Sequence, residues 1–193
     1  MRHIHVFETP TALDLAARRA ALMPGIRALR RPLWPLFPIG MPGGYLTVAY
    51  ATSHWLKRWN LRGGSEIVVS AWLGWVVHRA IKVVLVRERP PERGRRRRFD
   101  SFPSGHTTGA TSLALTMARV LEREGVISRR AAMAIAASAP AMMGMYRVIA
   151  DEHWTTDVIA GWVLGAAIAA TVSATSTRGR RPRLRPAPRL SAG

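Results

Sequence analysis

Residues 65–86 form a run of 22 mostly apolar positions, and further apolar runs occupy residues 33–56, 107–121, 131–149 and 158–174. As a helix the first of these is roughly 33 Å long at about 1.5 Å per residue. That is enough to cross a bilayer, and the chain reads as an all-α, multi-pass membrane helical bundle with about five membrane helices. Residues 33–56 carry no Asp, Glu, Lys or Arg, but Pro35, Pro38, Pro42, Gly43 and Gly44 break the first half, so helix is expected from near Tyr45. Residues 65–86 also contain Glu66, His78, Arg79 and Lys82, so one side of that helix must face protein or water.

The mean hydropathy of +0.03 is low for a membrane protein and is the main point for a soluble helical domain instead. It is an average, however, that mixes apolar runs with arginine-rich loops and ends. Residues 9–31 predict a short amphipathic helix capped by Thr11, and Arg18, Arg19 and Arg27 argue against a span. It reads as interfacial, with a solvated surface helix as the alternative. The chain thus divides into an interfacial segment, 1–32, a membrane-embedded unit, 33–175, and a basic tail, 176–193, whose Arg and Pro content predicts disorder. The first residues lack the unbroken apolar core of a signal peptide, so insertion is expected from internal segments.

The formal net charge of +18 comes from 27 Arg and two Lys, Lys57 and Lys82. Guanidinium groups stay charged and are shaped to grip phosphate or carboxylate, which points to an anionic partner. Without cysteine there is no thiolate metal site and no cysteine nucleophile.

Three blocks carry the chemistry. The first is KVVLVRERP, in which Lys82 and Arg89 are seven apart, about two helical turns, and so can face one point. The second is PSGH, residues 103–106, just before an apolar helix. There Gly105 lets a ligand approach the backbone, Ser104 offers a hydroxyl, and the first-turn N–H groups can point at an anion. Ordinary turn and cap chemistry is the alternative. The third is YRVIADEHWTTD, residues 146–157, which sets Arg147, His153 and Asp157 at spacings of six and four. A carboxylate there can hold one imidazole nitrogen as a donor and leave the other free to attack; helix-capping polar residues are the plainer reading.

Taken together, the blocks closely resemble the signature of the type-2 phosphatidic acid phosphatase superfamily, which includes lipid phosphate phosphatases, bacterial acid phosphatases and vanadium haloperoxidases. That signature is Lys, six residues, Arg-Pro; then Pro-Ser-Gly-His; then Arg, five residues, His, three residues, Asp. It spans about 76 residues here, from Lys82 to Asp157, with Tyr146 where the family often has Ser before the third-block Arg.

The resemblance implies a membrane phosphatase acting on a lipid phosphate monoester or diphosphate: phosphatidate, phosphatidylglycerophosphate or a polyprenyl carrier. It implies that His153 attacks phosphorus to form a phosphohistidine, that Asp157 orients it and that His106 protonates the leaving oxygen. Lys82, Arg89 and Arg147, with Ser104 and Gly105, would hold the phosphoryl oxygens. Three fixed cations can do what a metal does elsewhere, so no metal or other cofactor is expected. The partners expected are lipid phosphate and membrane, not nucleic acid, and the resemblance to bacterial membrane relatives places the site on the outer face of the plasma membrane. A vanadate-dependent haloperoxidase and a non-catalytic lipid-phosphate binder are the rival readings. His3 and His5 read as incidental, and His54 and His78 as packed or interfacial.

Overall fold

A computed structural model of the chain describes residues 4–5, 9–91 and 98–178. His3, residues 92–97 and the tail from residue 179 onward lie outside the described residues. The chain is an all-α bundle with one two-stranded addition. In chain order come β1 (Ile4–His5), α1 (Ala12–Ala21), α2 (Pro24–Ala28), α3 (Arg30–Leu33), α4 (Leu36–Gly40) and α5 (Pro42–Arg58). They are followed by α6 (Gly64–Val84), β2 (Leu85–Val86), α7 (Gly105–Arg123), α8 (Arg129–Ile149) and α9 (Thr155–Arg178).

The single amphipathic helix expected over 9–31 is three short helices. Thr11 does cap α1, through a reciprocal capping box with Asp14. That helix stops at Leu22 because Pro24 follows and opens α2 at its first turn. Prolines likewise confine α4 to five residues, and continuous helix begins only at Pro42, a turn before Tyr45.

Among the described residues, three helices are long and apolar enough to cross a membrane: Gly64–Val84, Arg129–Ile149 and Thr155–Ser176. Between them lies α7, which packs against α4, α5, α6, α8 and α9. Its buried face is small and hydroxylated, with Thr107, Thr108, Thr111, Ser112 and Thr116 all inside. Thr116 Oγ1 donates to Ser70 Oγ at 2.8 Å, and Ser70 Oγ donates to the Ser112 carbonyl at 3.0 Å. A helix sheathed by others can carry such groups where a lipid-facing one cannot.

Away from the signature residues, Tyr45, Ala49, Leu56, Ile67, Ala71, Leu113 and Val120 join α5, α6 and α7 in one apolar core. Glu66 closes that end by accepting two 3.0 Å bonds from Arg123. Trp34, Trp55 and Trp59 are exposed. Trp162 is instead tucked between α8 and α9, donating to the Pro140 carbonyl at 2.9 Å.

Candidate active site

The signature residues converge at one end of the bundle, where α6 and α8 finish and α7 and α9 begin. The first block does not arrive there as two turns of helix. Helix α6 ends at Val84, and β2 pairs in parallel with β1, Leu85 opposite Ile4. The extended course continues to Arg89, since Pro90 disfavours helix at the residue before it. There the Arg89 N–H donates to the Arg98 carbonyl at 2.9 Å, and Ser101 N–H to the Arg87 carbonyl at 3.1 Å. Lys82 therefore projects from a helix and Arg89 from a strand-like segment, yet both reach Asp100. Lys82 Nζ donates to its carbonyl at 2.5 Å, and Arg89 Nε to its carboxylate at 2.9 Å.

The third block splits between the end of α8 and the loop before α9. Arg147, in the last turn of α8, is 1% exposed. One of its nitrogens, Nη2, donates to Glu152 at 2.6 Å, while Nε and Nη1 have no hydrogen-bond partner among the described residues. Glu152 also faces Arg89, whose Nη1 lies 3.0 Å from its carbonyl and 3.4 Å from its carboxylate. His153 precedes the helix rather than lying in it, because α9 starts at Thr155.

His153 Nδ1 is 3.5 Å from Asp157 Oδ2, beyond good hydrogen-bond distance. That oxygen is held by Ser101 Oγ at 2.5 Å and the Trp154 N–H at 2.9 Å, and Oδ1 by Arg87 Nη1 at 2.6 Å. The carboxylate is thus fixed in place, facing the ring. Catalytic contacts of this kind are often long without substrate and tighten when it binds.

PSGH contributes the start of α7. Ser104 is fully buried, its N–H donates to the Asp157 carbonyl at 3.1 Å, and its hydroxyl accepts from Thr107 at 2.9 Å. A methyl group on Gly105 would stand 2.6 Å from His78 Nε2, so this glycine admits the His78 ring. His78 is accordingly a packing residue, its Nδ1 2.7 Å from the Gly74 carbonyl. His106 stacks at 5.4 Å on Phe37 of α4, and its Nε2 has no partner among the described residues. Phe37 also lies 5.7 Å beneath the Arg147 guanidinium, so one ring from the N-terminal region backs two signature side chains.

The electrostatics follow from burial and crowding of like charge. Burial holds His153 well below the ordinary histidine value, and Arg89, Arg147, Lys82 and His106 press it further down. Burial alone would raise Asp100, but the hydrogen bonds and charge of Arg89, with Lys82 and Arg98, outweigh it and hold that carboxyl low. The ensemble is a largely buried cluster of three cations and two histidines, with Arg147 Nε and Nη1 and His106 Nε2 unpartnered among the described residues, suited to an oxyanion.

Residues at this end that the sequence reading does not single out include Asp14, Arg87, Asp100, Ser101, Asp151, Glu152 and Thr156. Arg87 is 3% exposed although it lies at the start of a charged loop. A strand period would have found it, because residues 87 and 89 then share a face.

Residues 67–181 match the PAP2 superfamily. A non-specific acid phosphatase from Salmonella typhi is 37% identical over 79 residues, which are 40% of this chain and 28% of that protein. The chain thus spans little more than a quarter of that relative. Among solved structures, the transmembrane PAP2 type phosphatidylglycerolphosphate phosphatase from Bacillus subtilis superposes with a TM-score of 0.68 at 19% identity, covering 88% of this chain and 87% of that one. Aquifex aeolicus LpxE gives 0.64 at 21% identity, covering 88% and 99%.

Proposed function

Because the chain belongs to the PAP2 superfamily, we propose that it is a membrane phosphatase that hydrolyses a phosphate monoester or diphosphate of a lipid through a phosphohistidine on His153. The observation that carries this reading is a set of buried donors: Arg147 Nε and Nη1 and His106 Nε2 are buried and unpartnered among the described residues, beside the two other signature cations. A membrane-embedded bundle with its pocket at one end suits a head group presented by a lipid, and the kinds of enzyme to which the fold is similar support the same reading.

In this mechanism the phosphoryl oxygens lie against Lys82, Arg89 and Arg147, with the Ser104–Gly105 turn alongside. A phosphate dianion offsets the three cations, and in that state a further positive charge on His106 is tolerated. His153 attacks through Nε2, since Nδ1 faces Asp157. The phosphorus–oxygen bond to the lipid breaks as His106 gives its proton to the leaving oxygen. A water, deprotonated by His106, then attacks phosphorus, releases phosphate and returns His153. Almost all the catalysis is positioning and charge neutralisation, as phosphoryl transfer requires.

The test is phosphate release by detergent-purified protein across phosphatidate, phosphatidylglycerophosphate and polyprenyl diphosphate. Release is expected with at least one of them, inhibited by vanadate, unaffected by EDTA and abolished by His153→Ala. No release from any lipid phosphate, or full release by His153→Ala, would overturn the proposal.

A further inference from the structure

Helix α1 lies outside the superfamily match and outside the three signature blocks, yet it carries a carboxylate buried to 1% exposure. A surface helix needs no such group. Asp14 caps its own helix, with Oδ2 accepting from the Thr11 N–H at 3.1 Å, but capping alone would leave the side chain in solvent. The same oxygen accepts from Arg87 Nη2 at 2.7 Å, and Oδ1 accepts from the Thr156 N–H at 2.9 Å in the first turn of α9. Thr156 Oγ1 is 3.0 Å from both carboxylate oxygens.

Arg87 is the bridge. Its other terminal nitrogen, Nη1, donates to Asp157 Oδ1 and to Thr156 Oγ1, each at 2.6 Å. A buried line of charge therefore runs Asp14, Arg87, Asp157, ending 3.5 Å from His153. Its sum is one negative charge. A guanidinium bound to Asp157 alone would cancel the carboxylate that faces the imidazole, and Asp14 restores that charge by drawing on the other side of Arg87.

The same helix holds the loop from a second point. Arg18 Nε and Nη2 donate to Asp151 at 2.7 and 2.9 Å, and Nη2 also to the Pro91 carbonyl at 2.9 Å. Asp151 adopts φ +56, an uncommon conformation for a residue other than glycine, two positions before His153.

We propose that Asp14 is a positioning residue of the active site, acting through Arg87 to set the place and the effective charge of Asp157, and that α1 is a clamp on the nucleophile loop. This rests on the reading of His153 as nucleophile. Asp14 touches neither the phosphate-binding cations nor the pocket, so its removal changes turnover rather than oxyanion binding.

The experiment compares wild type with Asp14→Asn, Asp14→Glu and Thr11→Ala, the last weakening the cap while leaving the carboxylate. Asp14→Asn is expected to lower kcat by about 10–100-fold, the range typical of groups that orient a ligating or reacting side chain from behind, with KM and vanadate inhibition within about twofold. Asp14→Glu should recover part of the loss, and Thr11→Ala should stay near wild type. Where Asp14→Asn does not fold, Thr156→Val, which loosens the same link, should lower kcat in the same direction. Equal loss of kcat and vanadate binding, or wild-type kcat in folded Asp14→Asn, would overturn the clamp. Histidine nitrogen NMR separates this from failure of the phosphatase reading. Should wild type release no phosphate, the function falls, and an unchanged His153 tautomer and titration in Asp14→Asn would then overturn the positioning role by itself.

Discussion

The nucleophile proposed here, His153, must be neutral to attack phosphorus, and its surroundings favour that state. Burial and four neighbouring basic groups hold it well below the ordinary histidine range. In the proposed mechanism the free enzyme loses this nucleophile to protonation only well below pH ~6.5, and His106 takes its proton once the phosphate dianion is bound. The rate should then follow a bell-shaped pH profile, with the acid limb of kcat/KM well under the ordinary histidine value once substrate ionisation near pH ~6 is divided out. An acid limb at the ordinary histidine value would contradict this placement of His153. The sign for stability runs the same way: unfolded chain takes up a proton below pH ~6.5 that the folded chain refuses, so this site favours folding above that pH and loses stability as pH falls below it. Asp100 and Asp14, both held low, add stability that persists above the unfolded carboxyl value and is lost as pH falls through their folded values. At this scale the eight signature residues were legible from type and spacing, whereas their supporters were not. Asp151 and Glu152 carry no spacing rule, and that of Asp14 with Thr11 marks only a helix cap; their signal was scarcity, with 11 acids against 29 basic residues, so that an acid near the signature has several suitors.

Helices α7 and α9 set the separation between His106 on one and Asp157 on the other. They approach closely because α9 offers glycine at two positions one turn apart. A methyl on Gly161 would stand 3.0 Å from the Ser104 carbonyl oxygen, and one on Gly165 would stand 2.7 Å from that of Thr108 and 2.6 Å from Thr111 Cβ. These are contacts to backbone and to a β-branched side chain, which do not yield easily. Gly165→Val should therefore part the two helices, costing about 1–3 kcal/mol of stability by overpacking and lowering kcat at least tenfold although the residue lies two turns from Asp157. A detergent melting curve and turnover assay on the variant check both; wild-type values for both would show that the close approach is unimportant. The helix bodies themselves were plain from the apolar runs, and α6, α8 and α9 fall within a few residues of them. What misled at this scale was continuity. Reading residues 82–89 as one helix placed Lys82 and Arg89 together for the wrong reason, because the turn to extended backbone at Leu85 depends on pairing with β1, some eighty residues upstream. No local period encodes that partner.

For the molecule as a whole, the open matter is which face of the membrane carries the pocket. Counting positive charge does not settle it, because arginine and lysine are nearly balanced between the two ends, thirteen against fourteen if five helices cross. The geometry nevertheless yields a sharp test. Helix α7 has 19 residues, about 28 Å at 1.5 Å per residue, close to the hydrocarbon thickness, and it is the segment between residues 99 and 126. Phe99 is 49% exposed at the pocket end, and Val126 is 36% exposed beyond the other end of α7. Since the chain has no cysteine, one can be introduced at either site and read without background. With the pocket facing outward, an impermeant maleimide should label Phe99→Cys on intact cells and Val126→Cys only after lysis. The reverse pattern would overturn the outward orientation, and labelling of both on intact cells would show that α7 does not cross. Orientation then bears on substrate: an outward pocket draws its lipid phosphates from the outer leaflet, so the lipid panel should be ranked by what that leaflet can present.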